Sequence, residues 1–240
     1  MWVHRFAIHG LIVVTAALAA PAPLTAQDGE AGVSYEFRYG IPDGTSLATL
    51  SDKPEVVDFR IAEDPDFSKA GIASLVEYHA VYPLPLEALL ATITAYGEYV
   101  EISRRVTESS LLEPPASPPY GPIGTVAETH AALMRTSFKF LFFGRNYDYE
   151  LSSMTESLED DERLVRSKMT RSIDGGLGAI HYSWYLEPVG SADDPRTYVR
   201  YFARVDFAEE PRGLELALEL FARSDVERLL ESIYRHARRR

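Results

Sequence analysis

Tyr147, Tyr149, Tyr182, Trp184 and Tyr201 fall at alternate positions of three strand-like runs, so each run turns its aromatic residues toward one face. Rigid aromatic walls hold an acyl chain or a ring system, while phenol and indole groups orient a polar end. The same side chains also serve as plain core packing, and the density of the set favours the lining of a cavity. Arg145 leads into the first of these runs. There a guanidinium either pairs with a carboxylate or phosphate headgroup near a cavity mouth or, in the slightly favoured alternative, stays solvated in a turn. Glu128 and His130 share one face of their own run, and an imidazole beside a carboxylate is the pairing of general acid–base chemistry. The period of that run does not fix its inner side, and the balance falls to a solvated pair.

The remaining reactive residue types carry less. His79 and His181 have neighbours that place them on the outer face, and the six histidines are too scattered for a metal-ligand spacing. The glycine-rich segment 174–178 lacks the Lys-Ser/Thr of a phosphate-binding loop and reads as a turn. Ser183 lacks a nucleophile elbow. The acidic run 159–162 reads as a solvated hairpin tip rather than a cation site, and the basic end 235–240 as a steadying charge at a helix C-terminus rather than a contact to anionic lipid. No catalytic residue, metal or cofactor is expected from these spacings.

Composition narrows the classes further. The chain has 240 residues, 46% hydrophobic and 25% charged, which describes an ordinary globular protein and excludes disordered, collagen-like and multi-span membrane chains. Lys and Arg total 24 against 36 Asp and Glu, a formal charge of −12 that argues against nucleic acid as a partner. The absence of cysteine removes disulfides, thiolate metal sites and thiol nucleophiles. Residues 1–26 place His4 and Arg5 before an apolar run and end on small residues. That run is shorter than the roughly 18 residues a spanning helix needs, so the segment reads as a secretory signal peptide cleaved after Ala26. A soluble, exported chain is expected, periplasmic or secreted, and monomeric, with any membrane contact transient.

Behind the candidate residues stand elements that must position them. Residues 27–71 form an extension of low regularity with two short strand-like stretches, 33–39 and 56–61. A β-rich run at 72–82 is stopped by Pro83 and Pro85, and Leu86, Leu89, Leu90 and Ile93 then mark one apolar helix face ending near Gly97. Strand readings follow at 103–112, 125–137, 145–155, 163–172, 179–187 and 196–208, with turns at 143–146, 159–162, 174–178 and 190–195 and a proline-packed loop at 113–124. Four of these strands alternate an apolar face with a charged one, which calls for a cover on one side only. Ser224 with Glu227 forms a capping box, and Val226, Leu229, Leu230 and Ile233 give the final helix the face that supplies the cover, with a shorter helix at 211–221 ahead of it.

This order, an α+β arrangement of strand, short helical segment, antiparallel meander and C-terminal amphipathic helix, resembles the helix-grip fold of the START and Bet v 1-like superfamily, with its polyketide-cyclase-like and coenzyme-Q-binding members. The likeness covers about 72–235. It is carried by the segment from Ala80 to Leu90, by Phe143-Gly-Arg-Asn-Tyr-Asp-Tyr149, and by Tyr182-Ser-Trp-Tyr-Leu-Glu-Pro188 followed by Thr197-Tyr-Val-Arg-Tyr201. The resemblance implies one domain over 72–240 with a hydrophobic cavity between curved sheet and last helix, holding a lipid, isoprenoid, sterol or polyketide-like molecule. Arg145, Tyr147, Tyr149, Tyr182, Trp184, Tyr201 and His130 are the candidate ligand contacts. A cyclase or hydratase using the same cavity and a protein-interaction module are the competing readings.

Overall fold

Every strand pairs with its neighbour in antiparallel register. The computed structural model describes residues 37–62, 72–140, 143–159, 161–208 and 213–240. The segment 1–26, read from sequence as a signal peptide, lies outside them. Eight strands form one sheet: β1 (Glu55–Ala62), β2 (Ala73–Tyr82), β3 (Val106–Leu112), β4 (Thr125–Phe140), β5 (Phe143–Ser157), β6 (Arg163–Ser172), β7 (Leu177–Pro188) and β8 (Thr197–Phe207). Their order across the sheet is β1-β2-β8-β7-β6-β5-β4-β3. Strands β3 to β8 are thus a meander, and β2 closes on the far side of β8 with β1 outside it. The helices α1 (Leu86–Ile93), α2 (Tyr99–Ile102) and α3 (Leu214–Ala237) occur in the β2–β3 connection and at the C-terminus. A curved antiparallel sheet gripping one long helix is the architecture expected from the pattern.

Local sequence accounts for the elements, and for where expectation fails. Pro85 precedes α1 with an extended backbone, and Leu86, Leu89 and Ile93 form its buried face. The helix stops at Ile93 rather than near Gly97, and Thr92 and Thr94 turn their hydroxyls back onto the carbonyls of Ala88 and Leu90. A 3₁₀ turn and α2 then fill 96–102, so β3 begins at Val106, three residues later than predicted.

The predicted turn at 143–146 is part of β5. Arg145 pairs with Phe138 and Asn146 with Ser137, so the ladder runs through these residues to Phe140 opposite Phe143. Of the two stretches in the extension, 56–61 lies within β1, and the described part of the other, Phe37 to Tyr39, is not strand.

Two further corrections concern what covers the sheet. Ser224 does not begin a helix: α3 is continuous over 24 residues, and the Ser224 hydroxyl donates to the Phe221 carbonyl at 3.1 Å inside it. The apolar positions Leu214, Leu218 and Ala222 run in phase with Val226, Leu229 and Ile233, and burying that whole stripe outweighs a local capping preference.

The charged face is also covered, against the one-sided expectation. All ten residues of β2 are buried, Glu77 and His79 included. Ile41, Leu47 and Leu50 pack on Val81, Leu164, Tyr185 and Tyr198 over one end of that face. The proline-rich loop covers another part of it. Tyr120 Oη donates to the Ser167 carbonyl and lies 2.8 Å from His181 Nδ1, while Glu156 accepts the backbone N–H groups of Ile123 and Gly124.

Candidate functional site

The inner face of the sheet and the underside of α3 do not close on each other completely. Between them lies a cavity of about 250 Å³, many times the ~10–15 Å³ that admits one water. Strands β2, β4, β5, β7 and β8 supply its floor, α3 from Leu214 to Leu229 its roof, and Tyr99, Ser103, Arg105 and Val106 one end. The alternation of β7 and β8 sends Tyr182, Trp184, Tyr201, Ala203 and Val205 inward, and that of β5 sends Tyr149 and Leu151. The opposite alternates, His181, Ser183 and Arg204, are buried beneath the outer cover.

Four of the candidate aromatics line this cavity: Tyr149, Tyr182, Trp184 and Tyr201. Trp184 and Tyr201 meet with centroids 4.3 Å apart. Burial pushes the Tyr149, Tyr182 and Tyr201 hydroxyls above the ordinary phenol range, so they stay protonated and able to donate. Trp184 Nε1 is buried with no hydrogen-bond partner among the described residues. An indole N–H in that state is a donor that an acceptor atom of a bound molecule would satisfy.

The other three candidates sit elsewhere. Tyr147 is buried outside the cavity wall, its ring edge-on to Phe138 and Phe207 at 5.7 Å from each. The Arg145 guanidinium lies 5.2 Å from the Tyr147 ring centroid and against Gly176, where a Cβ would stand 2.7 Å from Arg145 Nη2. Only glycine leaves room there. Arg145 therefore lies over the Tyr147 ring, in a strand rather than in a turn at a mouth. His130 lies half-buried against Tyr96, with ring centroids 5.5 Å apart and away from the cavity wall. Its Nε2 is 3.2 Å from the exposed Glu128 carboxylate, at an angle that makes no hydrogen bond.

The sequence reading missed Arg105 and Asp225, the only charged side chains in the cavity wall among the described residues. Arg105 donates through Nε and Nη2 to Asp225 Oδ2 at 2.9 and 2.6 Å, and its guanidinium covers the Phe138 ring at 5.6 Å. This pair ties the start of β3 to the middle of α3. Nothing in sequence spacing joins positions 120 residues apart. The roof residues Leu214, Leu218 and Phe221 were legible as an apolar stripe running into Val226, had the stripe been followed through Ser224.

No protein-family model and no curated protein matches the chain. Solved structures do. A STAR-related lipid transfer protein from Xanthomonas axonopodis superposes with a TM-score of 0.52 at 14% identity, over 75% of this chain and 98% of that one. The chain has the START-like helix-grip fold. Human StAR-related lipid transfer protein 5 shares the fold with a TM-score of 0.52 at 10% identity, over 75% of this chain and 86% of its own. Human STARD10 does so with 0.51 at 7% identity, over 81% and 80%. In this helix-grip fold the space between sheet and C-terminal helix is an apolar-lined cavity. Among the described residues no helix is long and apolar enough to cross a membrane.

Proposed function

We propose that this chain binds and carries a hydrophobic small molecule, of the lipid, isoprenoid, sterol or polyketide kind, in the cavity between sheet and α3. The observation that supports the reading is an apolar-lined space of about 250 Å³ between the sheet and α3. An apolar molecule seated against these walls takes its own surface and theirs out of water, each Å² of apolar surface removed contributing about 25 cal/mol. The aromatic surface of Tyr149, Tyr182, Trp184 and Tyr201 supplies the contact to the ligand's apolar part. The lipid-transfer names of the START-like proteins that share the fold point the same way.

Residues 1–26 act in this reading as the export signal, so the carrier works in the periplasm or outside the cell. The 72–240 domain is then preceded by the extension 27–71, whose β1 joins the sheet and whose Ile41, Leu47 and Leu50 complete its outer cover. The test is titration of the purified protein with a fluorescent fatty acid, together with native mass spectrometry for co-purified lipid. Trp184→Ala is expected to weaken the probe about tenfold or more while the protein remains folded. If Trp184 is core alone, the change lowers stability by about 3 to 5 kcal/mol and affinity falls only with the folded fraction. No probe binding by the wild-type protein overturns the reading.

A further inference from the structure

A second recess opens beside the apolar cavity. It has a volume of about 390 Å³ and lies between the α2–β3 connection and the second half of α3, sharing Ser103, Arg105, Asp225 and Leu229 with the first. The two spaces are neighbours across the Arg105–Asp225 bridge. Their characters are opposite. The second is bordered by Arg104, Arg105, Arg228 and Arg235 against only Glu101 and Asp225, an excess of cations in a chain whose acids outnumber its bases 36 to 24.

Three of these arginines converge on one carboxylate. Besides the Arg105 bonds, Arg104 Nη2 and Arg228 Nη1 stand 3.4 and 3.6 Å from Asp225 Oδ1. Each guanidinium carries five N–H donors, whereas a carboxylate offers about four lone-pair positions, so Asp225 cannot satisfy all three. Arg104 and Arg228, which line the recess, are exposed, while Asp225 is nearly covered.

We infer that this arginine-lined recess receives the anionic head, a carboxylate or a phosphate, of an amphiphile whose apolar part occupies the adjoining cavity. The inference rests on the reading of that cavity as a ligand site and adds the charge class of the ligand. Arg104, Arg105 and Arg228 bind the head by charge-assisted hydrogen bonds, the head taking donors that Asp225 leaves over. The shared wall at Ser103 and Leu229 sets the head directly beside the tail. Arg145, the headgroup candidate from sequence, is occupied with Tyr147 and Gly176 instead.

The experiment compares dodecanoate, dodecyl phosphate, methyl dodecanoate and inorganic phosphate as competitors of a neutral fluorescent probe. The acid and the alkyl phosphate are expected to bind about tenfold or more tightly than the ester at low salt, with the preference shrinking at high salt. In the Arg104→Gln/Arg228→Gln double variant the acid-to-ester ratio falls toward one. In Arg171→Gln, whose side chain pairs with Glu150 on the outer part of β5–β6, the ratio stays. Because the readout is a ratio within one variant, partial unfolding does not imitate the effect. Equal binding of acid and ester by the wild-type protein overturns the headgroup recess and leaves the cavity reading standing. Inorganic phosphate binding as tightly as dodecyl phosphate overturns it in favour of a free-anion site. Failure of all three alkyl probes removes both readings together.

Discussion

Replacing Ala203 by leucine tests the cavity through the sign of a stability change. Ala203 lies on β8, faces the cavity, and pairs in register with Val76 on one side and Tyr182 on the other. Leucine adds three carbon atoms at a position whose surroundings are apolar. If they enter empty space, each contributes about 0.8 kcal/mol by burial, and ordering the longer side chain takes back about 0.5 to 1 kcal/mol. The ligand-free variant should then be more stable than wild type by about 1 to 2 kcal/mol. In a close-packed core the same carbons force neighbours aside and cost about 1 to 3 kcal/mol. Guanidinium unfolding of delipidated protein reads the difference as a shift of midpoint at constant slope. The extra volume should also weaken a hydrophobic probe, so stability rises as affinity falls. A variant destabilised by more than about 1 kcal/mol would refute the void, whatever the probe does.

Two further outcomes concern the covered outer face. Glu156 and Arg166 form a buried pair at 2.7 Å, so Glu156→Gln, which leaves the guanidinium uncompensated, should cost about 3 to 5 kcal/mol, and adding Arg166→Met should recover most of it in denaturant titrations. Burial, with Lys168 and Arg204 nearby, lowers the His181 pKa from 6.5 to about 3. The unfolded chain therefore binds the extra proton between those values, and stability falls on acidification through that window by up to about 1.4 kcal/mol per pH unit. Comparing unfolding midpoints at pH 7.5 and 4.5 should show a smaller drop in His181→Gln than in wild type; equal drops would show that His181 charges freely in the native state.

The meander was legible because its strands alternate cleanly. Tyr182, Trp184 and Leu186 against His181 and Ser183 assign a face without any structure, and the same holds for Val199, Tyr201 and Ala203. Four of the candidate aromatics accordingly line the cavity. Tyr147 shares their face but sits farther along β5, behind Phe138 and Phe207, and alternation reports which face a residue takes rather than how far along the sheet it lies. The Arg145 turn was misread because Gly144 and Asn146 carry turn propensity, whereas the cross-strand ladder with β4 decides. Long-range pairs such as Arg105 with Asp225 leave no local signal at all. The outer cover was missed for a related reason. Glu77, Arg166 and Arg204 are residue types usually exposed, and their pairing with Arg200, Glu156 and Asp206 permits burial.

That pairing bears on why the cavity stays open. Glu77 accepts from Arg200 at 2.8 Å and from Arg38, and stands 3.1 Å from His79 Nε2; His79 Nδ1 in turn is 3.1 Å from the Tyr198 hydroxyl. These contacts join β2, β8 and the segment before β1. Arg204 grips Asp206 through two bonds farther along β8. On β5 and β6, Arg166 bonds Glu156 and the Gly121 carbonyl, its guanidinium 5.2 Å from the ring centroids of both Phe37 and Tyr120. The Glu77 and Arg166 networks fix neighbouring strands from behind, on the face away from the ligand space. A sheet left free to flatten or curl would collapse onto α3 to recover the lost packing, since apolar surface without a partner is unfavourable. Hydrogen-bonded charges resist that motion because a small displacement leaves a buried group unsatisfied, which costs more than the packing gained at any single contact. The polar outer face and the apolar inner space are therefore one arrangement: directional bonds on one side of the sheet hold the curvature that non-directional burial on the other side would otherwise erase.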